Sequence, residues 1–186
     1  MNNNIEEFTI TAFSENHIGL LNRITIIFTR RHINIESLTV SESAIPGVHK
    51  FTIVIKTTQI MAEKITGQIE KLVEVIRAFF YRDEEIVHEE IALYKVPTNV
   101  LTENNKVEEI VRKYGAKILE ITPEYIVIEK TGHKKETQEL FNVLKELKVL
   151  QFTRSGRISI TRNACELLTD YLKENGLYEF YHNYPF

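Results

Sequence analysis

The first half of the chain carries apolar residues at two kinds of spacing, which predict six elements in the order β-α-β-β-α-β. Apolar side chains occupy alternate positions, as in half-buried strands, over residues 8–12 and 51–55 and less regularly over 35–40, and residues 78–81 are the last predicted strand of this half. Apolar residues recur at helical spacing over 20–28 and 65–76. Arg30, Arg31 and His32 suit the end of the first helix, because the last carbonyls of a helix carry partial negative charge.

The second half repeats this order of elements. Strand-type segments are predicted at 91–96, 117–121, 125–129 and 149–153, and helical faces at 107–114 and 140–147. Gly115 stands where the left-handed residue that ends a helix belongs. The tail after Asn163 has a helical pattern and ends in an aromatic-rich stretch, 178–186.

Each half therefore predicts a ferredoxin-like sandwich, in which two helices cover one face of a four-stranded antiparallel sheet. The fold class is α+β, with two such domains in tandem. Charge interrupts the apolar pattern between Asp83 and His88, so we place the domains at 1–84 and 85–186. Domains this small bury a modest fraction of their surface, and we expect a partner to cover the other sheet face and the edge strands.

Composition narrows the class of protein. The 186 residues include 23 Lys and Arg against 26 Asp and Glu, so no basic excess indicates a nucleic-acid or anionic-membrane partner. The single cysteine, Cys165, cannot form an intramolecular disulfide. Neither a membrane-length apolar run nor the pattern of a signal peptide is present. We expect a soluble, cytoplasmic protein.

Catalytic and metal-binding motifs are missing from the sequence. The six histidines form no His-x-x-x-His pair, and the seven glycines form neither a dinucleotide nor a phosphate-binding loop. No Gly-x-Ser-x-Gly elbow occurs. The acidic runs at 83–85 and 89–90 fit a solvated linker better than a cation site. We therefore predict no catalytic residue and no metal ligand in this chain.

The first strand-to-helix turn is the most informative segment. Asn16 suits the N-cap of the helix, and Gly19 permits a tight turn or a close approach of the backbone. The N–H groups of a helix N-terminus suit a carboxylate, and Asn34 offers an amide. Apolar neighbours such as Ile18 would complete a pocket for a small apolar amino acid. The residues alone also fit an ordinary capped helix, and they favour that explanation.

Two runs carry a specific resemblance: Glu15-Asn16-x-x-Gly19-x-Leu21-x-Arg23 and Asn34-Ile35-Glu36-Ser37-Leu38-Thr39-Val40. They resemble the N-terminal ACT domain of the acetolactate synthase (acetohydroxyacid synthase) small-subunit family. Weaker similarity continues through Glu90-Ile91-x-Leu93-x-Lys95-Val96 and Ile121-Thr122-Pro123, and returns in Thr153-Arg154-Ser155-Gly156 and Arg162. The resemblance thus covers nearly the whole chain.

This resemblance implies a non-catalytic regulatory subunit that activates a separate catalytic large subunit in branched-chain amino-acid biosynthesis. It implies feedback inhibition by valine or a related amino acid, bound where the ACT domains of a homodimer pair. Thiamine diphosphate, Mg and FAD are implied in the catalytic subunit, and no cofactor in this chain. The effector-binding residues implied are Asn16, His17, Ile18, Gly19, Leu20, Asn34 and Ile35. In the second domain, Arg154 and Arg162 are candidate contacts to the catalytic subunit.

Three departures from the family pattern affect local geometry. A glycine usually stands two residues before the Asn34 run, and His32 stands here, so the first helix must end differently. His49-Lys50 replaces a Ser-Arg pair, and we expect neither change to touch the ligand contacts. The tail, 164–186, runs beyond the end of many members.

Other functions remain alternatives at this point. The nearest is a free-standing ACT-type amino-acid sensor that acts on another partner. An RNA recognition motif shares the β-α-β-β-α-β order, but the third strand offers one aromatic residue, Phe51, and no glycine. An acylphosphatase-like hydrolase would need a cation in the first loop, where Glu15 and Asn16 stand instead.

Overall fold

The computed structural model describes residues 4–99, 106–164 and 167–183, so Cys165 lies outside the described residues. The chain divides into two compact units. The first unit comprises Met1–Val87 together with Arg157–Phe186, and the second comprises His88–Gly156. The second unit is therefore an insertion in sequence between two parts of the first, whereas we had expected the C-terminal tail to belong to the second domain.

The first unit has the predicted β-α-β-β-α-β order. Its elements are β1 (Glu6–Glu15), α1 (Leu20–Thr29), β2 (Ile35–Glu42), β3 (Val48–Thr57), α2 (Gln59–Ile69) and β4 (Val75–Tyr81). The four strands form an antiparallel sheet in the order β2-β3-β1-β4, so β2 and β4 are its edges. This is the ferredoxin-like arrangement that the alternating pattern predicted.

One face of this sheet packs against the two helices. Alternate residues of β1, including Phe8 and Ile10, contact buried residues of α1 such as Ile24 and Phe28. The period of two in the strand and of 3.6 in the helix places these side chains on facing surfaces. The helical pattern predicted through Ile76 was wrong at its end, because α2 stops at Ile69 and Ile76 lies in β4.

The second unit repeats the fold. Its elements are β5 (Ile86–Pro97, which begins in the first unit), α3 (Lys106–Lys113), β6 (Lys117–Ile121), β7 (Tyr125–Gly132), α4 (Lys134–Lys145) and β8 (Gln151–Arg154). The strand order is β6-β7-β5-β8. Tyr94 is fully buried in the core beneath α4, and its hydroxyl donates to the carbonyl oxygen of Thr137 at 2.6 Å. The predicted fold class of two ferredoxin-like domains is confirmed.

The C-terminal segment returns to the first unit. It contains β9 (Ile158–Thr161), which pairs with β5, then α5 (Leu167–Glu174) and α6 (Tyr178–Asn183). Leu168 and Leu172 of α5 are fully buried against Phe13 and Val48 on the sheet face that the helices α1 and α2 leave open. The chain itself therefore covers much of the face that we had expected a partner to cover.

The first helices of the two units end in the same way. After α1, the N–H groups of His32 and Ile33 donate to the carbonyls of Thr29 and Phe28, which is the Schellman pattern. His32 takes the left-handed conformation at φ +55°, where a glycine would be unstrained, so the expectation that α1 ends differently without a glycine was wrong. Gly115 takes it at φ +58° after α3, as predicted. No described helix is long and apolar enough to cross a membrane.

Candidate functional site

A cavity of about 170 Å³ opens at the turn between β1 and α1. The residues that line it are Glu15, Asn16, His17, Gly19, Leu20, Leu21, Val40, His49 and Phe51. They come from the end of β1, the first turn of α1, the end of β2 and the start of β3. These elements meet because β1 pairs with β3, which places Glu15 opposite Val48 and Ser14 opposite His49.

The first turn of α1 has backbone hydrogen-bond donors next to this cavity. The N-cap of α1 is Gly19, at φ +83°, and no side chain caps the helix, so the expectation that Asn16 is the N-cap was wrong. The first bond between residues four apart runs from the N–H of Arg23 to the carbonyl of Gly19 at 3.2 Å. The N–H groups of Leu21 and Asn22 therefore precede the helical ladder and remain available to an anion.

Gly19 is required for its conformation rather than for space. A Cβ atom built on Gly19 would meet no atom within 4 Å, whereas a φ of +83° strains any other residue. The turn is further fixed by the imidazole of His17, whose Nδ1 lies 3.1 Å from the carbonyl oxygen of Ile18. A glycine at this position thus sets the direction of the first N–H groups of α1.

An ion pair beside the turn connects α1 to the loop before β4. Nη2 of Arg23 on α1 lies 2.5 Å from Oε1 of Glu74, and the backbone N–H of Glu15 donates to the carbonyl of Glu74 at 3.0 Å. The hydrogen bond from Arg23, together with backbone hydrogen bonding, lowers the pKa of Glu74 below its usual value. The end of β1, the start of α1 and the loop before β4 are thereby joined next to the cavity.

The residues that the sequence grouped together fall in two places. Asn16, His17, Gly19 and Leu20 line the cavity, and Ile18 beside them is 98% exposed. Asn34 and Ile35 instead lie at the start of β2, where Ile35 pairs with Ile55.

The cavity is at the other end of β2, where Val40 pairs with Phe51. A strand rises about 3.3 Å per residue, so Asn34 lies about 20 Å along the strand from Val40. One copy of the chain does not bring Asn34 to the cavity.

Five lining residues were missed from the sequence: Glu15, Leu21, Val40, His49 and Phe51. His49 lines the cavity, although we expected the His49-Lys50 pair to leave the ligand contacts untouched. Pairing the clear alternation of β1 with that of β3 would have placed the start of β3 beside the turn. Val40 could have been found in the same way, as the neighbour of Phe51 in the β2–β3 hairpin.

An apolar strip runs beside the cavity along the edge of the sheet. Leu21 on α1 and Val40 on β2 are 45% and 40% exposed, and the exposed Ile18 stands in the turn three residues before Leu21. Exposed apolar side chains beside an edge strand are typical of a surface that another chain covers.

The two arginines predicted as partner contacts differ in exposure. Arg154 belongs to the second unit, where its Nη2 donates to Oε1 of Gln138 at 3.1 Å and its Nε lies 3.4 Å from Oε1 of Glu90. Its side chain also lies over the ring of Phe152. Arg162 in the first unit is exposed. Arg154 therefore acts mainly within its own unit, and Arg162 is the more accessible of the two.

In the described part of the chain, no three His, Cys, Asp or Glu side chains form a group that could hold a metal ion.

Two family models match the chain. One, described as an AHAS small subunit-like ACT domain, matches residues 10–77. The other, described as the small subunit of acetolactate synthase, matches residues 89–163. The two matches fall on the first β-α-β-β-α-β motif and on most of the second unit together with β9.

Similar proteins extend over most of the chain. The acetolactate synthase small subunit of Mycobacterium bovis is 32% identical over 154 residues, which are 83% of this chain and 91% of that protein. The Bacillus subtilis acetolactate synthase small subunit is 31% identical over 154 residues, covering 82% and 89% of the two chains. The crystal structure of the small subunit from Thermotoga maritima superposes with a TM-score of 0.78 at 29% identity, over 87% of this chain and all of that one.

Proposed function

The chain belongs to the family of acetolactate synthase small subunits, and from that premise we propose that it regulates the catalytic large subunit of this enzyme in response to a branched-chain amino acid. It activates the catalytic subunit, and valine or a related amino acid reverses the activation as feedback inhibition. Thiamine diphosphate, Mg and FAD belong to the large subunit, and the complex works in the cytoplasm. The small subunit itself is non-catalytic.

The cavity at the β1–α1 turn suits one end of such an effector. A carboxylate would accept hydrogen bonds from the N–H groups of Leu21 and Asn22 at the positive end of α1. Glu15 supplies a negative charge that an ammonium group can face. A short aliphatic side chain would pack against Leu20 and Val40. A volume of about 170 Å³ is small for a drug-sized ligand and supports an effector of amino-acid size.

A second copy of the chain completes the site. β2 is an edge strand, and two edge strands related by a two-fold axis pair antiparallel, so that the start of one lies beside the end of the other. An axis between Ser37 and Leu38 of β2 places Ile35 of the second copy opposite Val40, and Asn34 of that copy beside the cavity. Asn34 precedes the edge strand β2, and the cavity that contains Asn16 adjoins the other end of that strand at Val40. This separation of Asn34 from Asn16 within one chain is the observation that carries this proposal.

Regulation follows from this arrangement. An effector held between two copies binds the paired state and not separated chains, so it stabilises one arrangement of the pair. The catalytic subunit senses that arrangement as a coupling of about 1–3 kcal/mol, the usual range for two linked sites. Arg162 is exposed and is the candidate contact to the catalytic subunit.

The test is thermal unfolding of the purified chain with valine, leucine, isoleucine and serine. At one hundred times its dissociation constant a ligand stabilises the native state by about 2.7 kcal/mol. In a chain of this size we expect the midpoint to rise by roughly 5–10 °C with a branched-chain amino acid and not with serine. No shift with any of the four would contradict the effector site in the free subunit.

Variants of the two asparagines test where the effector binds. Asn16→Ala and Asn34→Ala should each abolish the shift with the branched-chain amino acid, because each removes an amide from the site. Asn142→Ala is the matched control, since Asn142 is exposed on α4 of the second unit. A shift that survives in both cavity variants would mean that the site lies elsewhere.

Assays with the catalytic subunit separate this function from a free-standing sensor. We expect the chain to raise acetolactate synthase activity, and the Asn16→Ala and Asn34→Ala variants to activate as well as the unchanged chain. Neither variant should be inhibited at the valine concentrations that inhibit the complex with the unchanged chain. A chain that binds valine but leaves the activity of the catalytic subunit unchanged would be a sensor with another partner.

A further inference from the structure

We propose that Arg157 transmits effector binding from β2 to the second unit, and this inference rests on the proposed function of the β1–α1 site. Arg157 is the first residue that returns to the first unit after the insertion. It binds the edge strand β2, the central strand β1 and the segment that leads out of the first unit. It is therefore a positioning residue, which contacts no effector.

The backbone N–H and the carbonyl oxygen of Arg157 both form hydrogen bonds with side chains of β2. Its N–H donates to Oγ of Ser37 at 2.9 Å, and its carbonyl oxygen accepts from Oγ1 of Thr39 at 3.0 Å. Ser37 and Thr39 alternate in β2 with Leu38 and Val40, so they face the opposite side of the sheet from the cavity. A change in β2 at the cavity thus moves the two hydroxyls that hold Arg157.

The guanidinium group of Arg157 binds two further segments. Nη2 lies 2.6 Å from Oε1 of Glu7, and Nη1 donates to Oγ1 of Thr9 at 2.8 Å, both on β1. Nη1 also lies 3.5 Å from Oδ1 of Asp83 in the short 3₁₀ helix before β5. The side chain is only 11% exposed, so solvent screens these interactions weakly.

The covalent connections make this cluster relevant to the second unit. The chain leaves the first unit after Val87, four residues beyond Asp83, and re-enters it at Arg157. The guanidinium therefore ties the outgoing and the returning strand to one another and to β1, while the backbone of Arg157 ties them to β2. A planar guanidinium reaches several acceptors at fixed angles, and a lysine ammonium cannot reproduce that geometry.

Coupling requires that the geometry of these contacts differs between the state with effector bound and the state without it. Pairing of two copies through β2, with an effector between them, fixes the position of Val40 and hence of Thr39 next to it. Arg157 is held by Ser37 and Thr39 and therefore moves with them. Because Arg157 also contacts Asp83, the outgoing and the returning connection to the second unit respond together. If those contacts are removed, effector binding at the cavity stays but the second unit no longer responds to it.

Two kinds of variant test this in the complex with the catalytic subunit. Arg157→Lys keeps the positive charge but loses the planar guanidinium group that reaches several acceptors. The double variant Ser37→Ala with Thr39→Val removes the two hydroxyls of β2 and leaves Arg157 in place. Arg82→Lys is the matched control. Arg82 pairs at 3.7 Å with Glu6, the neighbour of Glu7 on β1, but it is more exposed and no described contact joins it to β2.

Three quantities are measured for each variant: activation without effector, the midpoint shift caused by valine in the free chain, and the valine concentration for half-inhibition of the complex. For Arg157→Lys and the Ser37–Thr39 double variant we expect unchanged activation and a valine shift within a few degrees of the unchanged chain. Half-inhibition should need at least about tenfold more valine, or residual activity at saturating valine should rise. Arg82→Lys should behave as the unchanged chain in all three.

The outcomes separate this inference from the function on which it rests. If the unchanged chain neither shifts with valine nor confers inhibition, the proposed function fails first. If it does both, and the Arg157 and Ser37–Thr39 variants are inhibited at the same valine concentration, the role of Arg157 is overturned. If Arg157→Lys alone loses valine binding as well, that variant has damaged the fold, and the double variant decides.

Discussion

The outer faces of the two sheets, the faces away from the paired helices, differ although the two units share one fold. In the first unit this face is buried: Thr9 is 1% exposed, and Thr11, Phe13 and Thr52 are buried beside it. In the second unit Ile91 on the corresponding face is 41% exposed, while Leu93 and Val127 are half-buried. The difference arises because the C-terminal segment of the chain returns to the first unit.

This comparison shows what alternation in a strand does and does not determine. Threonines at alternate positions of β1 indicate a solvated face, yet here a later segment covers them and supplies their partners, as Arg157 does for Thr9. On the second unit the same kind of face stays more open, with Ile91 exposed and Leu93 and Val127 half-buried. Alternation therefore identifies the two faces of a sheet but not which of them remains exposed.

The largest effect on stability is expected when a leucine is removed from α5. This helix lies in the C-terminal segment that covers the outer face of the first unit, called the covering segment below. Leu168 is fully buried against Phe13 and Val48, so Leu168→Ala should reduce the free energy of unfolding of the first unit by about 2–5 kcal/mol. Leu93→Ala on the half-buried face of the second unit is the matched control and should cost below about 1 kcal/mol. Urea unfolding followed by amide exchange measures both units. Equal losses would mean that α5 does not hold the covered face.

One tyrosine in each unit should titrate well above the ordinary range. Burial, reinforced by the charge of Glu85, raises the pKa of Tyr81 to about 12. Burial also raises the pKa of Tyr94 to about 12, with Arg154 opposing the shift and Glu90 adding to it. Both native pKa values exceed the unfolded value near 10, so their stabilisation is complete below about pH 10 and is lost between pH 10 and 12.

The covering segment should contribute to the raised pKa of Tyr81 and not to that of Tyr94. Tyr81 lines a cavity together with Leu168 of α5, whereas Tyr94 lies under α4 in the other unit. Leu168→Ala should therefore lower the pKa of Tyr81 toward 10 and leave that of Tyr94 unchanged. Phenolate absorbance, compared with Tyr81→Phe and Tyr94→Phe, assigns each titration. A Tyr81 pKa that stays near 12 in Leu168→Ala would show that the segment does not desolvate it.

The helix ends give the smallest expected difference between the units. His32 and Gly115 occupy the same left-handed position after α1 and α3, so exchanging the residue types should have opposite effects. His32→Gly should stabilise the first unit by up to about 1 kcal/mol, and Gly115→Ala should destabilise the second by about 1 kcal/mol. An added Cβ on Gly115 meets only Nζ of Lys130, at 4.0 Å, so backbone conformation is the main term. Thermal unfolding measures both, and effects of the same sign would contradict the shared geometry.

Most of the fold could be predicted from the sequence, because alternation and helical spacing are local signals. Two units of the predicted order and the end of α3 at Gly115 follow from such patterns. The position of α5 did not, because its contact with Phe13 joins residues far apart in sequence and depends on the insertion of the second unit. The end of α2 was misjudged because Val73 and Ile76 continue the helical spacing by chance into a turn and a strand.

The candidate site was only partly predictable for the same reason. The turn from Asn16 to Leu20 is one continuous segment, and the structure keeps it together at the cavity. His49 and Val40 reach the cavity through strand pairing, which sequence spacing does not show. Asn34 belongs to the site only if a second copy is present, so no contact within one chain could have placed it there.

The measurement that tests the account most directly is effector binding by mixed variants. In a dimer of one Asn16→Ala chain and one Asn34→Ala chain, one of the two sites combines the intact Asn16 of one copy with the intact Asn34 of the other. Random pairing of equal amounts should therefore restore about one quarter of the valine sites, although neither variant binds valine alone. Calorimetric titration of the mixture after unfolding and refolding together gives this number. A mixture that binds no more valine than its separate components would contradict a site shared between two copies.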